Sequence, residues 1–252
     1  MALNAEQLST RKKLFFHLEK KELTNIIAQV GFAQDVSNSM KYAYKSGAMQ
    51  KLNNILYPVA ERFDDNKIMD MVAFDHTIHE IPEMTEENYQ TYVQDHILSH
   101  RNIWGNTEYA PAIQYFVNEW FGLKQVTKVK ESLNTGGWFS KFLHGEVKRE
   151  LIVENVQRKI MPSYLIMQTD GENHDTHETE RLIHEIQNKE IYISFLGIGQ
   201  ENFHFIKAMA DKYPNVGCFI VENLNKLTDD QLYEGLITDE LATCLKNAVV
   251  KS

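Results

Sequence analysis

The sequence predicts an α/β fold, doubly wound around a mostly parallel central sheet flanked by helices. Three observations predict it. Short apolar runs alternate along the chain with segments whose apolar residues recur at helical spacing. The apolar runs are nearly continuous, as in strands buried on both faces rather than on one. The 252 residues are 43% hydrophobic and 24% charged, the composition of a packed globular chain rather than a disordered or coiled-coil one.

Taken in order, residues 1–14 are polar and hold no apolar signal core. No run of about 18 apolar residues could span a bilayer, so a soluble, cytoplasmic protein is expected. Residues 26–33 read as a strand running to Asp35. Met49, Leu52, Ile55, Leu56, Val59 and Phe63 then recur at spacings of three and four and predict a helix. Residues 68–74 form the next strand, with 78–81 a short neighbour. From 85 to 99 the pattern turns helical, with Tyr89, Tyr92, Val93, His96 and Ile97 on one side. A loop over 101–109 leads to a helix opening at Ala110-Pro111, where proline's missing N–H costs nothing. Ile113, Phe116, Val117 and Trp120 make its buried stripe.

Residues 163–168 are a strand stopping at Thr169-Asp170-Gly171. The helix after it is capped near Asp175 and turns Leu182, Ile183 and Ile186 inward. Residues 191–198 form a strand, followed by a helix bearing Phe205, Ile206, Met209 and Tyr213, and residues 216–221 form the last strand. From Thr228 onward one or two helices bury Leu232, Leu236, Leu241 and Leu245.

One stretch breaks this rhythm. Residues 122–161 are too long for an ordinary connection and read as an insertion with its own local structure, within a single domain spanning 1–252. The insertion carries eight basic and four acidic residues, a net +4 in a chain whose total is −9. Its centre, with Trp138 and Phe139, suggests an amphipathic hairpin or helix that either packs as a lid or docks on a partner or a membrane surface.

Several chemistries are excluded. An acidic total argues against a nucleic-acid binder. Cys218 and Cys244 cannot make a disulfide framework and read as reduced core thiols. The chain has no Gly-x-Ser-x-Gly elbow, no glycine-rich nucleotide loop and no HExxH. The histidine pairs 76/79, 96/100 and 174/177 lack a matching acidic or cysteine pattern.

In open α/β sheets ligands bind at the carboxyl ends of the strands. Three segments lie there: Asp35-Val36-Ser37-Asn38-Ser39, Gly105-Asn106-Thr107 and Thr169-Asp170-Gly171. They offer oxygen donors alone, a set suited to Mg²⁺, with Ca²⁺ or Mn²⁺ as alternatives, and unsuited to zinc. The alternate side chains of Asp35-x-Ser37-x-Ser39 can face a common point, and Asn38 tolerates a left-handed turn better than most residues.

Asp35-x-Ser37-x-Ser39, Thr107 and Asp170, in this order on an α/β sheet, resemble the metal-ion-dependent adhesion site of von Willebrand factor type A domains. The resemblance spans residues 24–250 apart from the insertion, and narrows to the bacterial intracellular group associated with tellurium-resistance (Ter) stress operons. It implies that Ser37, Ser39 and Thr107 ligate the ion directly, with Asp35 and Asp170 supporting it. A neutral set of ligands leaves a divalent ion strongly Lewis-acidic, and an Asp or Glu from a protein partner would complete it. Glu108, His174, Trp138 and Phe139 are the candidate partner-contact residues. Two positions depart from the family pattern: Asn38 stands where glycine is usual, and Gln34 where the strand usually ends in an aliphatic residue.

The function expected is therefore a non-enzymatic, metal-dependent adaptor in a tellurite or toxic-metal stress response. The alternatives are a metal-assisted hydrolase using the same ion, with Glu108 or His174 as base, or a membrane-surface scaffold working through the insertion.

Overall fold

The structure is a computed structural model that describes residues 3–99, 104–133, 147–157, 161–171 and 173–251. It divides into two compact units, one of residues 1–116 with 160–252, the other of residues 117–159.

The larger unit is built on a six-stranded sheet. Its strands are β1 (Gln29–Asp35), β2 (Asp70–Phe74), β3 (Ile78–Glu80), β6 (Ser163–Thr169), β7 (Ile191–Ile198) and β8 (Val216–Val221), in the order β3-β2-β1-β6-β7-β8. All neighbours run parallel except β3, which returns antiparallel beside β2. The parallel strands are apolar on both faces because helices cover both. On one face Val30, Phe32, Tyr164, Ile166 and Tyr192 join a core completed by α1 (Ala5–Lys20), α3 (Ala48–Phe63), α8 (Asp229–Leu236) and α9 (Asp239–Lys251). On the other, Phe74 and Phe195 pack against Tyr109, which leads into α5 (Ala110–Phe121). The helices α6 (Thr176–Ile186) and α7 (His204–Lys212) follow β6 and β7 as the spacing predicts. Both cysteines are free and half-buried.

Two elements differ from expectation, and a third, α1, was not predicted. The polar N-terminal segment forms α1, a sixteen-residue helix. Asn4 and Gln7 close a reciprocal capping box at its start, and Leu14 and Leu18 are buried one turn apart. The predicted helix over 85–99 shrinks to α4 (Tyr92–His96). Upstream of it Asn88 folds the chain into a turn, its Oδ1 accepting the Thr85 N–H (2.8 Å) and its amide donating to the Glu83 carbonyl (2.9 Å); asparagine side chains compete in this way with helical bonding. Asp175 occupies the N-cap position of α6, yet its side chain caps α5 instead, accepting the N–H groups of Tyr109 (3.0 Å) and Ala110 (2.7 Å).

The smaller unit contains an antiparallel two-stranded ribbon, β4 (Leu123–Leu133) with β5 (Val147–Gln157). Its register sets Lys130 opposite Glu150 and Glu131 opposite Arg149. The insertion thus has its own secondary structure; its centre, with Trp138 and Phe139, lies outside the described residues. Among the described residues no helix is long and apolar enough to cross a membrane.

Candidate functional site

The neighbours β1 and β6 are far apart in sequence and adjacent in the sheet, where the strand order reverses direction. Their carboxyl ends form the crevice in which such sheets bind ligands. Asp35 closes β1 and is fully buried. Its Oδ1 accepts the Ser37 N–H (2.7 Å), the local loop closure that aspartate favours, and its Oδ2 accepts the Thr169 hydroxyl (2.8 Å) from β6. Burial raises the Asp35 carboxyl to about 6, against the pull of these bonds, and the nearby charge of Asp170 adds to the rise.

From Asp35 the loop turns outward. Ser37 is extended (φ −62°, ψ 166°) and leads into a 3-10 turn over Asn38–Met40 and the short helix α2 (Lys41–Lys45). Alternate positions then fall on one side. Ser37 Oγ lies 3.1 Å from Ser39 Oγ, and the Ser39 hydroxyl donates to Asp170 Oδ1 (2.8 Å). Burial also raises the Asp170 carboxyl, with the Ser39 bond opposing and Glu201 adding to it. Ser37 is buried, whereas Ser39 is exposed, so the chain of oxygens leads from the interior to the surface.

Asn38 makes no use of its tolerance for a left-handed conformation: its φ is not positive. The 3-10 turn needs no such residue, and Asn38 instead accepts the Lys41 ammonium on its Oδ1 (2.6 Å). Gln34, the other departure from the family pattern, is fully buried and donates from its amide to Asn53 of α3. It lies beside Gln168 in the β1–β6 register, which makes a polar layer directly beneath the loop.

Thr107 is buried on a segment bonded to both other loops. Asn38 N–H donates to the Gly105 carbonyl (3.1 Å), and His174 N–H donates to the Thr107 carbonyl (2.9 Å). Exposed His174 also sets its ring Nδ1 3.3 Å from that carbonyl. Glu108 is half-buried and anchored by its backbone N–H to the Asp75 carbonyl (2.9 Å). The structure therefore joins Asp35, Ser37, Ser39 and Asp170 through one hydrogen-bonded chain and ties the Thr107 segment to it, with His174 and Glu108 alongside.

Sequence reasoning placed Thr169 at the strand end without giving it a role, and missed Tyr109, Asp75 and Glu201. The Tyr109 hydroxyl donates to the Gly171 carbonyl (2.6 Å) and lies 3.1 Å from the Thr169 hydroxyl, bracing the loop after β6. Asp75 directly follows the apolar run ending at Phe74 and was open to the same strand-end rule that found Asp35 and Asp170.

The donor chemistry fits a hard cation. Neighbouring ligands of an octahedral ion bound at about 2.1 Å stand roughly 3 Å apart, and the two serine oxygens have that separation. Among the described residues no group of three or more His, Cys, Asp or Glu side chains is gathered to hold a metal, so a soft, nitrogen- or sulfur-rich site has no support.

Residues 27–252 match the model of the vWA-TerF-like family, a von Willebrand A domain found in the TerF C terminus. The chain belongs to the vWA-TerF-like family. A relative of this vWA-TerF-like chain, YcbR of Bacillus subtilis, is 23% identical over 235 residues, covering 91% of the chain and 82% of the relative. Among solved structures the vWA-TerF-like fold is similar to proximal thread matrix protein 1 of the mussel byssus (TM-score 0.55, 15% identity, 88% of this chain and 48% of that one). It is also similar to a von Willebrand factor type A protein from Catenulispora acidiphila (TM-score 0.51, 11% identity, 87% and 43%). The chain spans about half the length of these solved proteins or less, and the likeness is one of fold.

Proposed function

We propose that this vWA-TerF-like chain is a cytoplasmic, non-enzymatic adaptor that holds Mg²⁺ at the β1–β6 crevice and captures a carboxylate of a protein partner. The coarser part, a protein-interaction domain, follows from the family. The observation that carries the finer part is the run of oxygens Ser37–Ser39–Asp170 at 3.1 and 2.8 Å, with the buried Asp35 behind it.

Ser37, Ser39 and Thr107 would hold the ion. Asp35 keeps the loop in place through Ser37 and Thr169, and Asp170 orients the Ser39 hydroxyl. The bound ion would supply Lewis acidity toward a carboxylate from outside. The family's naming for TerF supports a role in bacterial tellurite or toxic-metal stress.

The test is titration calorimetry with Mg²⁺ on wild type, Ser37→Ala and Asp35→Ala, followed by affinity capture of partners with and without EDTA. Wild type is expected to bind the ion and to release its partner in EDTA. Both variants are expected to lose Mg²⁺ affinity by at least about tenfold, Ser37→Ala by removing a ligand and Asp35→Ala by freeing the loop that presents it. Equal affinity in all three would refute the metal site, and turnover of phosphoester or peptide substrates under Mg²⁺ or Mn²⁺ would replace the adaptor with a hydrolase.

A further inference from the structure

Asp75 is the first residue past β2 and is 1% exposed. A carboxylate so placed needs donors, and its donors come from two directions. On its own turn, Oδ1 accepts the Thr77 N–H (2.9 Å) and hydroxyl (3.1 Å), and His79 Nε2 and His76 Nδ1 lie 3.1 and 3.3 Å from the same oxygen. Across the loop, Oδ2 accepts the Gly105 N–H (2.8 Å), while the Asp75 carbonyl accepts the Glu108 N–H (2.9 Å). One residue therefore grips both ends of the segment 105–108, with Thr107 between the grips.

Two further features show how tightly that segment is fitted. Trp104 enters it at φ +92°, a conformation that a bulky residue keeps only where its surroundings over-determine it. A Cβ on Gly105 would stand 2.0 Å from Nδ1 of the exposed His76 ring and 2.9 Å from Asp75 Oδ2, so a larger residue here must displace His76 and press on the Asp75 carboxylate. Burial pushes the Asp75 carboxyl up, but the bonds from Thr77, Gly105 and His79 outweigh it and hold the group below its ordinary value. It is therefore ionised at neutral pH, and its bonds are charge-assisted.

We infer that Asp75 is a positioning residue: it fixes residues 105–108 against the loop 37–39, so that Thr107 stands ready before any ion arrives. The purpose assigned to it rests on the metal-site reading above; the positioning itself does not, and the two are separable by experiment.

The test uses the full chain and three forms, wild type, Asp75→Ala and Asp75→Asn. Amide hydrogen exchange in EDTA is followed by Mg²⁺ calorimetry. Asp75→Ala is expected to speed exchange at Gly105 by at least about tenfold, the scale of one charge-assisted bond, with the β1 amides unchanged. Asp75→Asn keeps one acceptor oxygen but sets an amide donor against either Thr77 or Gly105 and loses the charge, so it is expected to restore only part of that protection. Mg²⁺ affinity should follow the same order, weakened about tenfold or more in Asp75→Ala and less in Asp75→Asn. If Asp75→Ala does not fold, Gly105→Ala breaks the same contact from the other side and should weaken Mg²⁺ binding while the sheet amides stay protected.

Gly105 exchange that is the same in wild type and Asp75→Ala overturns the inference. So does full Mg²⁺ affinity in Asp75→Ala despite lost protection, or in Gly105→Ala. A wild type that binds no Mg²⁺ while Gly105 protection still depends on Asp75 refutes the metal reading and supports the positioning.

Discussion

The loop after β1 and the segment before α5 both bring a hydroxyl to the sheet edge, but they are held by different means. Residues 35–39 are held in part by their own side chains: Asp35 takes the Ser37 N–H and Ser37 meets Ser39, while Tyr44, Thr169 and Asp170 brace them from outside. Residues 105–108 make none of their holding bonds among themselves. Asp75, Asn38 and His174 hold them from three other loops. A self-held loop writes its geometry into a short motif, whereas an externally held one depends on residues that only the fold brings near.

If that contrast is right, damage to the second loop should come from contacts remote in sequence. The largest effect is expected for Gly105→Ala, whose new methyl meets His76 and Asp75. A loss of about 2 kcal/mol is expected in urea denaturation, the range of a small-to-large change in a packed site, and His76→Ala in the same chain should recover part of it. Full additivity of the two changes would break the comparison. Next comes Asp175→Ala, which removes the acceptor of the Tyr109 and Ala110 N–H groups at the start of α5. It should cost about 1 kcal/mol, as for other lost helix caps, and should speed exchange of those two amides.

The most discriminating effect is in acid. In the metal-free chain Asp35 binds its proton more tightly folded than unfolded, with a carboxyl raised by burial from 3.8 to about 6. Its contribution to stability is complete below pH 3.8 and is lost as pH rises through about 6. Asp75 has the opposite sign, because its carboxyl is held below 3.8: its contribution is present above pH 3.8 and is lost as pH falls through its depressed value. Carboxyl-carbon titration by NMR in EDTA should show the two midpoints on opposite sides of 3.8. Midpoints on the same side would show that the two loops are held alike.

The same contrast accounts for how much could be read from the chain. The parallel strands were legible because burial leaves nearly unbroken apolar runs; residues 191–198 match β7, buried throughout, and 216–221 match the half-buried edge strand β8. The residues Asp35, Ser37 and Ser39 were legible because their spacing alone turns them to one side. The helix α1 was not, since its buried Leu14 and Leu18 are few among exposed polar neighbours, and its start is encoded in side-chain bonds between Asn4 and Gln7. Asp175 looked like the cap of the helix that follows it, because nothing local says that its carboxylate reaches α5. Thr169 and Tyr109 act across the β1–β6 pairing and become visible only when that pairing is known.

The adjacency of β1 and β6 has a consequence for the order of events during synthesis. Asp35 and Thr169, bonded to each other, are 134 positions apart, and a closure of that length is entropically late. A growing polypeptide exposes both serines while Asp170 is still untranslated. The hydroxyl–carboxylate cluster therefore cannot assemble until Asp170 has been made, and its formation marks the pairing of β1 with β6.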